Sequence, residues 1–181
     1  MADLLCTDRE TSIFIRPTAL QLLTDHMSSS LSSEVCGVLL GRKAAGGMRI
    51  DSYRKLRNVA PDPLHHFLFD PIEWVQCCYQ ESDLIGIFHS HPWSAPIPSS
   101  TDLHQLQSFG ALTPIYLIGS PSTSWIDHRQ ALNKKWISNL EQNHTQPFTV
   151  AGYYAIHNHL RDNTLSHLPL YTLQSATLQL I

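Results

Sequence analysis

One stretch of the chain restricts its fold more than any other. The apolar run Leu84–Phe88 ends on His89-Ser90-His91-Pro92, and a loop rich in proline and serine leads to Asp102. The run has the length and composition of a buried strand. Thr101 or Asp102 starts a helix that continues through Phe109 and stops at Gly110. Two imidazoles at i and i+2 on an extended backbone project to the same side. The loop is long enough to bring the carboxylate of Asp102 back to them. A chain that uses this segment as a unit must pack a strand against the helix that follows it, which points to a mixed α/β domain.

The donor set points to chemistry. Two histidine nitrogens and a carboxylate oxygen suit Zn²⁺, and three protein ligands leave a fourth tetrahedral position open, as in catalytic rather than structural zinc sites. Hydrolysis at such a centre needs a group that takes and returns a proton. Glu34, at the mouth of the otherwise apolar Glu34–Gly41 strand, is the candidate. Ser99, three residues before Asp102, can donate a hydrogen bond to a developing oxyanion. Pro92, Pro96 and Pro98 stiffen the loop between them.

The rest of the chain reads as short elements. Ile13–Arg16 is a β-type run, and Pro17 opens a helix carrying Ala19, Leu20, Leu22, Leu23 and Met27 at helical spacing before it frays into Ser28–Ser33. Glu34–Gly41 and Met48–Val59 form a hairpin through the turn at Ala44–Gly47. Asp70 caps a second helix with Pro71 at its first position and Glu73 in its first turn. Its expected apolar stripe is Ile72, Trp74, Val75, Cys78 and Tyr79, ending near Ser82. Ile115–Ile118 and Ser124–Ile126 read as strands joined by Gly119-Ser120-Pro121-Ser122, while Phe148–Ile156 and Leu170–Leu180 have β-like composition.

Composition excludes several classes. The 181 residues suit one domain, and 43% apolar content with 15% charge excludes a disordered chain. A net charge of -3 argues against a nucleic-acid partner, which calls for a basic face. Cys6, Cys36, Cys77 and Cys78 do not form a disulfide framework. The beginning of the chain has neither a basic region nor an apolar run of signal-peptide length, and no segment approaches the roughly 20 apolar residues of a membrane span. The expectation is a reduced, cytoplasmic protein without a membrane partner.

The 11 histidines are nearly as many as the 12 lysines and arginines, but few of them bear on the site. His157-Asn158-His159 with Asp162 repeats the His-x-His pattern without Pro, Ser or a partner Glu and reads as polar surface; His167 could join it only as a weak second site. His65-His66 also reads as surface, and Cys77 and Cys78 as helix packing and its flank.

The pattern Glu34…His89-x-His91-Pro92-x6-Ser99-x-x-Asp102 resembles the JAMM (MPN+) metalloproteases at each motif position, over roughly residues 12–130. The His66–Pro71 stretch and the proline spacing look closest to compact prokaryotic members. The resemblance implies an α/β fold of MPN (JAB) type, a curved mixed β-sheet flanked by helices. It implies a catalytic domain over residues 1–137, with 138–181 a C-terminal extension packed on the same domain. By resemblance, His89, His91 and Asp102 hold one zinc per chain, Glu34 activates water and Ser99 supports the tetrahedral intermediate. The implied activity is hydrolysis of the amide or isopeptide bond after the C-terminus of a ubiquitin-like protein, whose tail is held as an added β-strand. Conjugates of antiphage defence systems are among the substrates this covers. The alternatives are a peptidase that trims a sulfur-carrier protein, a non-catalytic MPN scaffold, and a RadC-like DNA-associated protein.

Overall fold

The computed structural model describes residues 12–122, 148–158 and 169–181. Ser12–Ile15 forms β1, and Pro17–Ser29 forms α1. Cys36–Ala44 (β2) and Gly47–Leu56 (β3) make the expected hairpin, in antiparallel register from Cys36↔Leu56 to Ala44↔Gly47. Gly46 turns the chain at φ 83°, a left-handed conformation that suits glycine. Pro71–Gln80 is α2, Leu84–Ser90 is β4 and Ser100–Phe109 is α3. Ile115–Pro121 (β5), Phe148–His157 (β6) and Tyr171–Leu180 (β7) complete the described elements.

The sheet is mixed. Its order is β1-β3-β2-β4-β5-β6-β7, and it closes into a barrel because β7 pairs in parallel with β1, Ser12↔Thr177 to Ile15↔Leu180. Strands from both sides of residue 137 thus share one barrel. β4 lies centrally, antiparallel to β2 and parallel to β5. Alternate residues of β4 and β5 enter different apolar layers, which is why both strands read as unbroken apolar runs. One layer joins Phe88, Ile115 and Leu117 to Leu23 and Met27 of α1. The other joins Ile87, Tyr116 and Ile118 to Cys77 of α2, Leu106 and Phe109 of α3, and Phe67 and Phe69.

Two details differ from expectation. β5 runs on through Ser120 and Pro121, where a turn was predicted, because β6 supplies a ladder partner there: Ser120↔Thr149 and Pro121↔Phe148. Ser124–Ile126 lie outside the described residues. In α2 three residues of the predicted apolar stripe face outward, Ile72 70%, Val75 50% and Tyr79 88% exposed, while Trp74 packs inward as expected. Polar anchors set the rotation of the helix. The Asp70 side chain accepts from the Ile72 and Glu73 N–H groups and pairs with Arg57, Glu73 accepts the Arg57 N–H at 2.8 Å, and Glu81 takes Arg54 at 2.6 Å. That row carries Trp74 onto Phe69, ring centroids 5.1 Å apart, and buries Cys77.

Candidate metal centre

His89 lies near the end of β4 between Cys36 of β2 and Ile118 of β5. His91 stands just past the strand, its N–H bonded to the Gly119 carbonyl at 2.7 Å. The two Nε2 atoms are 2.9 Å apart. Asp102, in the first turn of α3, places Oδ1 3.2 Å from His89 Nε2 and Oδ2 3.4 Å from His91 Nε2. All three residues are buried, and among the described residues they are the one group of three or more His, Cys, Asp or Glu side chains that could hold a metal.

The surroundings orient these donors. The His91 Nδ1 atom lies 3.0 Å from the Ala95 carbonyl, which can only accept, so the proton sits on Nδ1 and the Nε2 lone pair faces the cluster. Ser120 and Tyr153 donate to the carbonyls on either side, those of Ser94 at 2.5 Å and Pro96 at 2.7 Å, and so fix the loop on three consecutive residues. The His89 ring stacks on Phe67 with centroids 4.6 Å apart, and its Nδ1 is buried without a partner.

Ser99 and Asp102 form a capping box. The Asp102 N–H donates to Ser99 Oγ at 3.1 Å, and the Ser99 N–H donates to Asp102 Oδ2 at 2.7 Å. The three-residue spacing therefore has a structural cause of its own. Ser99 itself is exposed, and its hydroxyl hydrogen remains available to a ligand.

Glu34 precedes β2 rather than heading the strand and is 6% exposed. Its N–H donates to the Pro63 carbonyl at 2.7 Å, and its carbonyl accepts from Asn58 Nδ2 at 2.9 Å. Burial pushes its carboxyl up to about 7; the nearby His91 acts against the rise, and Asp102 adds to it. Asp102 lies at the opposite extreme. Burial alone would raise it, but the facing imidazoles of His89 and His91 and the Ser99 N–H hold it far below the usual carboxylate range. Burial keeps His89 below the ordinary histidine value. In His91 the Asp102 carboxylate and the Ala95 carbonyl outweigh burial and raise it.

Two imidazole nitrogens and a carboxylate are the donor types that suit a tetrahedral zinc. One ligand atom from each residue lies within 4.8 Å of the others, with the two Nε2 atoms 2.9 Å apart and a different oxygen of Asp102 nearest each imidazole.

Two residues that hold Glu34 were missed in the sequence. Ser90, between the two histidines, accepts the Val35 N–H on its Oγ at 3.0 Å and donates its own N–H to the Val35 carbonyl at 2.9 Å. Asn58 bonds Glu34 and His66 through Nδ2 and receives the Ala60 and Leu68 N–H groups on Oδ1, at 2.9–3.0 Å throughout. Asn58 lies just past the end of β3, inside the stretch Met48–Val59 expected from the sequence to be strand, so the sequence pattern gave no signal for it. Cys36 is buried beside His89, and burial pushes its thiol far up, so it stays protonated. His65 and His66 are exposed as expected. His157 ends β6 with its ring 5.2 Å from that of Tyr171, while His159, Asp162 and His167 lie outside the described residues.

The two histidines at the end of β4 and the aspartate of α3 form a buried group that could hold a metal, set in a mixed-sheet domain of JAB/MPN type. The chain belongs to the prokaryotic homologs of the JAB domain, whose family model matches residues 17–132. It is 37% identical over 100 residues to the desampylase of Haloferax volcanii, covering 53% of this chain and 68% of that one. It is 34% identical over 102 residues to the desampylase of Pyrococcus furiosus, covering 54% and 69%. A solution structure of a Desulfitobacterium hafniense protein, at 20% identity, shares the fold with a TM-score of 0.58 over 93% of this chain and 92% of the other.

Proposed function

We propose that this protein is a zinc-dependent isopeptidase that hydrolyses the amide bond after the C-terminus of a ubiquitin-like protein. The observation that carries this reading is the buried His89–His91–Asp102 donor group with the carboxyl of Glu34 poised beside it at about 7. The names of the desampylase relatives support it. His89, His91 and Asp102 would hold one zinc per chain. Zinc bound there supplies Lewis acidity toward the scissile carbonyl and makes water more acidic.

The protein's own residues do the rest. Glu34, matched to neutral pH by burial, takes a proton from water and delivers it to the leaving amine. The Ser99 hydroxyl, free to donate, stabilises the oxyanion. Its bond from the Asp102 N–H keeps the oxygen in place.

The described strands close on themselves in order, so a tail held as an added β-strand would pair with a segment beside the site rather than with an end strand of the sheet. We place the tail between the segments that flank the site, 58–69 and 92–98. Both carry exposed apolar side chains, Leu64 and Leu68 on one and Trp93 and Ile97 on the other. Cys36, Cys77 and Cys78 are free thiols, in keeping with a reducing cytoplasm. Among the described residues no helix is long and apolar enough to cross a membrane.

The test is a fusion of a ubiquitin-like protein to a short C-terminal extension, incubated with the zinc-loaded chain. Cleavage after the terminal residue of the ubiquitin-like part, abolished by His89→Ala with His91→Ala, is the expected result. Unchanged zinc content in that double variant would place the metal elsewhere. A zinc-loaded chain that cuts no fusion in a panel would favour the scaffold or the sulfur-carrier reading.

A further inference from the structure

Among the described residues, three buried side-chain atoms have no hydrogen-bond partner: His89 Nδ1, Gln105 Oε1 and the Tyr116 hydroxyl. Such atoms are rare in folded proteins and call for a cause. One belongs to the donor group itself, and the other two are on residues linked to His89, Tyr116 by ring contact and Gln105 through Phe67. Gln105 lies one turn after Asp102 on α3 and donates to the Phe67 carbonyl at 2.8 Å, and the Phe67 ring stacks on His89.

Tyr116 is the best placed of the three. Its side chain, on β5, is fully buried. The ring meets His89 edge-on, 5.4 Å between centroids at 81°, and stacks on Phe109 of α3 at 6.4 Å. It is therefore wedged between the strand that carries one ligand and the helix that carries another. Burial and the facing carboxylates of Asp102 and Glu34 keep the phenol protonated, so its hydroxyl is a donor.

Asp102 has a use for that donor. Its Oδ2 accepts the Ser99 N–H, while Oδ1 faces His89 Nε2 at 3.2 Å. A metal held by both histidines takes their Nε2 lone pairs, and neither nitrogen can then carry a proton to the carboxylate. The Ser99 N–H is then the sole donor that Asp102 keeps from the bonds seen here. Tyr116 is a buried hydroxyl without a partner, close enough to feel the Asp102 carboxylate.

We propose that Tyr116 is a positioning residue, which donates its hydroxyl to the Asp102 carboxylate and holds it in place for the metal. This role rests on the zinc reading above. Partners of this kind orient metal ligands, and removing one costs metal affinity.

The experiment is Tyr116→Phe, which keeps the ring and removes the hydroxyl. Zinc affinity is measured by chelator competition, and thermal stability is measured on the metal-free protein. The expected result is a Kd for zinc raised about 10–100-fold, with metal-free stability unchanged or increased, because an unpaired buried hydroxyl has been removed. An unchanged Kd beside measurable wild-type zinc binding would overturn the role of Tyr116 and leave the metal centre standing. A weaker Kd accompanied by a lower metal-free Tm would also overturn it, by assigning the hydroxyl to general packing. A wild-type chain that binds no zinc would overturn both readings.

Discussion

Two helices of this protein carry an aspartate at their start, the N-cap Asp70 of α2 and Asp102 in the first turn of α3, and the two carboxylates have opposite fates. Asp70 caps α2: one oxygen accepts the Ile72 and Glu73 N–H groups at 2.9 and 3.1 Å, and the other pairs with Arg57. Its charge is fully answered by groups the chain carries. Asp102 receives one backbone N–H, from Ser99, and turns the rest of its carboxylate toward two buried histidines that hold no permanent charge. The same residue type near a helix start thus serves as the N-cap in one helix and, in the other, as the capping-box partner of the N-cap Ser99 that is also a candidate ligand. The difference lies in what faces the oxygen left over. Where an arginine faces it, the site is complete. Where two imidazole nitrogens face it, the site is a receptor for a cation.

The largest expected effect breaks this symmetry outright. Asp102→Asn keeps an oxygen for the capping box and removes the ligand charge. Zinc content should fall below about a tenth of an ion per chain, and cleavage by at least ~10³-fold if the metal supplies most of the rate. Far-ultraviolet circular dichroism should be unchanged, because α3 keeps its Ser99 cap. Asp70→Asn should leave zinc content and cleavage as they were. Equal loss of zinc in both variants would show that the two aspartates do not differ in kind.

Next in size is Glu34→Gln. Cleavage should drop by about 10²–10⁴-fold, the usual share of a proton-transfer group, with zinc content retained. In the metal-free protein the same variant reads out burial. The Glu34 carboxyl rises from an ordinary 4.5 to about 7 on folding, so the folded state holds a proton that the unfolded state has released. Ionising it therefore costs stability between these values, and the cost is complete above the upper one. Glu34→Gln should accordingly gain stability relative to wild type as the pH climbs from about 4.5 to about 7, and hold that gain above it. Asp102, shifted down, carries the opposite sign: its contribution is present at neutral pH and is lost only in strong acid. A pH-independent difference between wild type and Glu34→Gln would mean that the carboxyl is solvated.

How much of this was legible in the sequence follows the range of the interaction. The ligand residues and the Asp70 cap of α2 are local patterns within 14 residues or fewer, and the structure brings His89, His91 and Asp102 together; α3 starts on the Ser99 cap, ahead of the Thr101 or Asp102 expected from the sequence. Glu34 lies 55 residues before His89, so spacing alone could not place it, and the resemblance to a family did that work. Ser90 and Asn58 were missed because their partners, Val35, His66 and Leu68, are set by strand register and loop closure. The β7–β1 pairing that closes the sheet joins residues more than 160 apart. A strand pattern records which residues are apolar, and it carries no trace of which distant strand will lie beside them.

A smaller effect returns to the completed aspartate. Asp70→Ala removes the cap and the partner of Arg57 together and should lower Tm by roughly 2–5 °C, while zinc affinity stays at the wild-type value. A fall in zinc affinity would mean that α2, though its anchors point away from the donor group, transmits strain to it through Phe67 and Phe69.

The smallest effect tests why α2 faces as it does. Periodicity put Ile72, Trp74, Val75, Cys78 and Tyr79 on one inward stripe; the structure keeps Trp74 packed against the core, buries Cys77 and exposes Ile72, Val75 and Tyr79. Both rows are apolar, so hydrophobicity alone does not choose between them. Asp70, Glu73 and Glu81 choose, because their partners Arg57 and Arg54 are fixed at the end of β3 and just beyond it. Tyr79→Ser should therefore change stability by less than about 0.5 kcal/mol. Trp74→Ala, which removes the ring stacked on Phe69 and edge-on to Phe109, should cost about 3 kcal/mol or more. If urea unfolding ranked these two variants the other way, the apolar row would govern the helix, and the ion pairs around Asp70 would be its consequence rather than its cause.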